Sequence, residues 1–216
     1  MENDIKERII AGKKLGFKIF SLTKASESAL YSAAKQVFEH YAKDVYLTTY
    51  YTILKDLTIN AVKANHKRLF FEDHSLNIEN PRDYDTGMPQ YKKTMNSSGQ
   101  TTYDFRAKDR GIFVSIQITH SPDGVLTTVT NNSQITAHEE TRIRAALKHA
   151  LDYDDILAYY RDRRDEEEGE GLGLGLVIIL LKAEGIDPGL FRIFSQDGET
   201  TARFEVPFNK LYKTSR

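Results

Sequence analysis

The chain has 216 residues, 40% of them hydrophobic, with 12 Tyr, 11 Phe and no Cys, and a formal net charge of −1 from 30 basic and 31 acidic side chains. That length and apolar content predict one folded domain over residues 1–216 rather than a disordered chain. The lack of cysteine excludes disulfides, thiolate metal sites and cysteine nucleophiles, and the balanced charge excludes an overall field that would recruit nucleic acid or an anionic membrane.

The opening Met-Glu-Asn-Asp-Ile-Lys has neither the basic nor the apolar region of a signal peptide, so a cytoplasmic protein is expected. Gly16–Leu22 reads as a first strand. Ser26 can cap a helix over Glu27–Lys43, with Leu30, Ala33, Ala34, Val37 and Phe38 on its buried side. A second helix is predicted over Thr48–Arg68. Residues 74–110 hold Pro81, Gly87, Pro89 and Gly99 among many polar residues, and read as an insertion or mobile excursion with short helical pieces at most. Ile112–Ile118 alternates apolar and polar residues, Ser121-Pro122-Asp123-Gly124 is a turn, and Val125–Thr130 is the partner strand. Thr136-Ala137-His138-Glu139 fits a capping box opening a helix with Ile143, Leu147 and Leu151 on one side. Asp152–Glu168 is charged and ends in Asp165-Glu166-Glu167-Glu168. Two strands, Leu190–Ser195 and Thr200–Val206, are joined through Gln196-Asp197-Gly198. This order predicts an α+β fold, a two-layer sandwich with helices on one face of a mostly antiparallel sheet.

Two segments carry chemistry. In Gly169-Glu170-Gly171-Leu172-Gly173-Leu174-Gly175-Leu176, every second residue is glycine, and Val177-Ile178-Ile179-Leu180-Leu181 follows. Such a segment either cradles a phosphate chain at the N-terminus of a helix or forms an alternating Gly/Leu strand. It is too short to span a membrane, which takes ~20 apolar residues. In the Thr48–Arg68 helix, Asp56, Asn60, Lys63 and Lys67 are spaced i, i+4, i+7 and i+11 and share one stripe beside the apolar Leu54, Leu57, Ala61 and Ala64. A carboxylate, a carboxamide and an ammonium along one edge suit a metal–polyphosphate. An ordinary solvated helix face has the same pattern.

Together these segments resemble the histidine kinase-like ATPases, the GHKL superfamily with its Bergerat ATP-binding fold. "LKDLTINAVKAN" is similar to that family's N-box, "GEGLGLGLVII" to its later glycine box, and "GETTARFEVP" to its closing strand. The resemblance covers about Thr48–Phe208, with 74–110 unmatched and an ATP lid expected over 132–170. It implies that Asn60 coordinates Mg²⁺ and that Lys63 touches a phosphate. It further implies that Gly169, Gly171, Leu172, Gly173, Leu174 and Gly175 form the triphosphate segment, and that Thr200 or Thr201 sits near the adenine. Asp56 stands where the anti-sigma-factor kinases, chaperones and gyrases have a Glu and sensor kinases more often an Asn, which implies a local base. The chain departs from the family at two places. The adenine-reading Asp of the first glycine box aligns with Asn131, whose carbonyl still accepts a hydrogen bond, and the glycines of that box are absent. Glu170 replaces a Thr, beside Asp165–Glu168, which predicts electrostatic gating of the triphosphate site.

The implied activity is that of a Mg·ATP-dependent protein kinase, histidine or Ser/Thr, which acts on a separate phosphoacceptor protein in bacterial-type signalling. A non-catalytic interaction module with a degenerate nucleotide site is the alternative. No phosphoacceptor motif surrounds His40, no histidine spacing suits a metal, and homodimerisation is left open.

Overall fold

The computed structural model describes residues 2–162 and 172–214. Helix α1 (Glu2–Ile10) precedes strand β1 (Leu15–Ile19), helix α2 (Lys24–His40) and the long helix α3 (Leu47–Asp73). Helices α4 (Pro81–Thr94) and α5 (Gln100–Asp109) come next, then strands β2 (Val114–Ser121) and β3 (Gly124–Asn131). Helices α6 (Ala137–Ala150), α7 (Ile156–Asp162) and α8 (Leu172–Ala183) lead to strands β4 (Arg192–Gln196) and β5 (Glu199–Pro207). The five strands form one sheet in the order β1-β2-β3-β5-β4, with every neighbouring pair antiparallel. Helices pack on one face, so the fold is the expected α+β two-layer sandwich.

Strand alternation sorts the sheet into two faces. Val114, Ile116 and Ile118 of β2, Val125 and Val129 of β3, and Ala202, Phe204 and Val206 of β5 are buried beneath the helices. Against them α3 lays Tyr50, Ile53, Leu54 and Leu57, and the Tyr50 hydroxyl hydrogen-bonds Thr127 at 2.6 Å within this core. The β4–β5 hairpin turns through Asp197 and Gly198, both at positive φ (52° and 83°), as a tight Asp-Gly turn requires.

Several local expectations need correction. The α2 cap is Thr23, whose hydroxyl accepts from Ser26 N while Ser26 Oγ accepts from Thr23 N, so Ser26 is the return half of a capping box. Helix α1 went unread although Ile5 and Ile9, one turn apart, both join the core. On α6 the capping box stands as expected, but Leu151 is exposed, and Ala146 and Ala150 are the fully buried side chains.

The largest correction concerns residues 74–110. They form two helices with a core of their own rather than a loose excursion. Tyr84, Met88 and Tyr91 of α4, at i, i+4 and i+7, meet Tyr103 and Ala107 of α5 over Leu69, Phe70 and Phe71 at the end of α3. Asn80 caps α4, accepting from the backbone N of Arg82 and Asp83, and Pro81 occupies its first turn. Here proline opens a helix, where composition alone suggested a loop.

Candidate functional site

Between α3, the sheet, α6, α8 and the α4–α5 unit lies a cavity of about 580 Å³, a volume typical of small-molecule sites. Its floor is apolar, built from Val129 and Ala202 of adjacent strands together with Ile193. Its rim is polar and cationic.

Helix α3 runs along one side. Asn60, Lys63 and Lys67 all line the cavity, so three of the four stripe residues act as one edge. Asp56 does not line it. Burial raises the Asp56 carboxyl above the usual carboxylate range, against the opposing pull of Lys55 and Lys63.

Opposite Asn60 is the start of α8. A methyl group on Gly173 would stand 3.3 Å from Asn60 Nδ2, so the glycine segment and the polar stripe of α3 meet here. Leu174 also lines the cavity. The segment is nonetheless neither loop nor strand at this point: Leu172, Gly173, Leu174 and Gly175 already belong to the helix. Residues two apart on a helix lie about 200° apart, so alternate glycines face opposite neighbours. Gly173 faces α3. A Cβ on Gly175 would fall 2.0 Å from Tyr159 Oη of α7 and 3.2 Å from the Ala150 Cβ, so Gly175 serves helix packing and does not line the cavity. Gly169, Gly171, Glu170 and Asp165–Glu168 lie outside the described residues.

The far end of the cavity is a hydrogen-bonded cluster. Asn131 and Thr200 are cross-strand partners on the buried face of β3 and β5. Asn131 Nδ2 donates to Asn65 Oδ1 at 3.2 Å and to the Ser133 carbonyl at 3.3 Å, while Thr200 Oγ1 donates to that same carbonyl at 2.6 Å. Ser133 Oγ donates to Asn65 Oδ1 at 2.7 Å. The amide N–H groups of Asn131 are thus engaged by the protein, leaving its carbonyl as the group that can accept from a ligand. Thr201 is excluded from the site. Strand alternation turns it to the other face of the sheet, where its hydroxyl pairs with Thr130 at 2.9 Å.

Glu139 joins two sides of the site. Its carboxylate receives Lys67 Nζ at 2.5 Å, both Arg68 terminal nitrogens, and the backbone N of Thr136 at 3.0 Å. Burial disfavours its charge, but the two cations and their hydrogen bonds outweigh this and hold the carboxyl far below the usual carboxylate range. The sequence showed Glu139 as the closing residue of a capping box; its second task depends on α6 packing near α3.

Several lining residues went unread in the sequence. Lys92 and Gln100 come from the α4–α5 unit, Arg142 comes from α6, and His66 sits deeper on α3. His66 Nε2 lies 3.2 Å from Asp104 Oδ1 without the geometry of a hydrogen bond, and burial lowers its pKa to about 4. Among the described residues, no group of three or more His, Asp or Glu side chains could hold a metal ion, and no helix is long and apolar enough to cross a membrane.

No protein-family profile and no solved structure matches the chain. The chain is similar to an uncharacterized protein of Treponema pallidum (strain Nichols), 31% identical over 156 residues. The match covers 72% of this chain but only 30% of that protein's length.

Proposed function

We propose that the chain is a histidine kinase-like ATPase domain that binds Mg·ATP and passes the γ-phosphoryl group to a separate signalling protein. The observation that carries this reading is the meeting of Asn60, Lys63, Gly173, Asn131 and Thr200 around one cavity, although they come from four elements far apart in the sequence. The apolar floor over Val129 and Ala202 suits a flat base, with the Asn131 carbonyl accepting from its exocyclic amine and Thr200 beside it. Asn60 offers a neutral oxygen for Mg²⁺. Among the described residues no group of three or more His, Asp or Glu side chains could hold the ion, and Mg²⁺ commonly binds through few protein ligands together with substrate phosphates. Its charge, when bound, neutralises the phosphate oxygens. Lys63 adds a point charge, and positioning with charge neutralisation supplies most of what phosphoryl transfer needs. The reading implies a cytoplasmic protein, beside the ATP pool, with a phosphoacceptor protein as partner.

A second reading, a module that binds nucleotide without turning it over, is favoured by one observation. Asp56, the residue aligned with the family's local base, is outside the cavity lining. A calorimetric titration with Mg·ATP tests the common core of both readings. Binding is expected, with loss of most of its Mg²⁺ dependence in Asn60→Ala. No heat and no thermal shift at millimolar Mg·ATP would sink both. Phosphoryl transfer to a candidate partner, present in wild type and absent in Asp56→Asn, separates the kinase from the binding module.

A further inference from the structure

Five cationic side chains from three elements converge on the cavity. Lys63, Lys67 and Arg68 come from α3, Lys92 from α4 and Arg142 from α6. Among the described residues, Glu139 is the one carboxylate that lines it with them, and that group is committed to Lys67 and Arg68. Arg142 donates to Tyr84 Oη at 3.4 Å. Among the described residues, neither Lys63 nor Lys92 has a carboxylate within ion-pair distance. Gathering like charges around an apolar floor costs self-repulsion, and a bound polyanion offsets it.

The placement of Lys92 is built in. Tyr91 Oη donates to the Lys63 carbonyl at 3.1 Å, tying α4 to the same turn of α3 that bears Lys63. The Tyr91 ring also packs edge-on against Phe70 at 5.7 Å, within the aromatic core of the α4–α5 unit. A flexible excursion could not hold a charge at a fixed place, whereas this packed pair of helices can.

We propose that the α4–α5 unit is a phosphate-binding wall, in which Lys92, together with Lys63 of α3, holds the di- or triphosphate chain of the ligand. This rests on the nucleotide reading for the identity of the group attached to the phosphates, and on the cationic wall alone for the phosphates themselves. The wall adds an ammonium from a segment outside the three motifs, so affinity rises with the number of phosphates.

The test is calorimetric titration of the full chain at low ionic strength with adenosine, AMP, ADP, ATP and inorganic tripolyphosphate. Wild type is compared with Lys92→Gln, Lys63→Gln and Lys93→Gln, the last being an exposed neighbour outside the cavity lining. Lys92→Gln and Lys63→Gln are each expected to weaken ATP and tripolyphosphate about tenfold, as for the loss of one charge-assisted hydrogen bond. Adenosine should be nearly unaffected, Lys93→Gln should change nothing, and the losses should shrink as salt rises. Equal weakening of adenosine and ATP, unchanged tripolyphosphate binding in Lys92→Gln, or the same loss in Lys93→Gln overturns the proposal. Wild type that binds tripolyphosphate through Lys92 but no adenosine compound keeps the wall and sinks the nucleotide reading. Binding of adenosine with no preference for added phosphates does the reverse, and binding of none of the five ligands sinks both.

Discussion

Removing the Glu139 carboxylate should be among the most damaging single changes in this protein. The Glu139 side chain is 13% exposed, and its partners Lys67 and Arg68 are 10% and 13% exposed, so all three charges are largely out of water. In Glu139→Ala, Lys67 loses its counter-ion, Arg68 keeps only its bond to the Gln134 carbonyl, and the Thr136 backbone N loses its acceptor. Breaking a buried ion pair from one side costs about 3–5 kcal/mol, because it strands the opposite charge. For a domain of this size, 1 kcal/mol moves Tm by about 2–4 °C, so the melting temperature should fall by roughly 6–20 °C. Thermal unfolding followed by circular dichroism measures this directly. The triple replacement Glu139→Leu/Lys67→Met/Arg68→Met should lose much less than the single change, since it removes the stranded charges with the carboxylate. A single variant melting within about 2 °C of wild type would refute the argument, for it would mean the cluster is solvated. The pH dependence has a definite sign. The folded carboxyl titrates well below its ordinary 4.5, so the stabilisation is complete above that pH and is lost as pH falls further.

His66 titrates in a higher window. Its pKa falls from 6.5 unfolded to about 4 folded, so stability present above pH 6.5 is lost as pH falls towards 4. His66→Gln should flatten that slope in urea midpoints taken between pH 7 and 4, and an unchanged slope counts against the assignment. Thr200→Val should weaken ATP binding, whereas Thr201→Val, on the opposite face, should leave it alone; the reverse result would mean that the ligand occupies the other side of the sheet. Gly173→Ala should impair ligand binding with little change in Tm, because its Cβ would crowd Asn60, while Gly175→Ala should lower Tm by several degrees by striking Tyr159. If both variants melt alike and bind alike, the division of labour between the two glycines is wrong.

Much of the architecture was legible in local patterns. The alternation in Ile112–Ile118 and the Asp-Gly turn before β5 announced strands, since period 2 and a turn needing positive φ are written residue by residue. The Asn60–Lys63–Lys67 edge was legible because helical spacing alone puts those residues on one side. The α4–α5 unit misled for a physical reason. Pro81 and Pro89, Gly87 and a polar majority look like loop, while the few residues that secure it, Tyr84, Met88 and Tyr91, acquire meaning only over the aromatic end of α3.

The glycine segment marks the boundary between the two kinds of information. Residue identities alone established that 169–175 has glycine at every second position, follows acidic residues and runs into the apolar 176–181. Whether those glycines wrap a ligand or let helices touch depended on which neighbours arrived, and Asn60 and Tyr159 arrived on opposite sides of α8. The same holds for the cations of the cavity. Lys63, Lys92 and Arg142 are ordinary surface residues in their own helices, and only the packing of α3, α4 and α6 around one floor brings their charges together. Local spacing sets which face of an element a side chain occupies; long-range burial of apolar surface, which no short window of sequence contains, decides what that face meets.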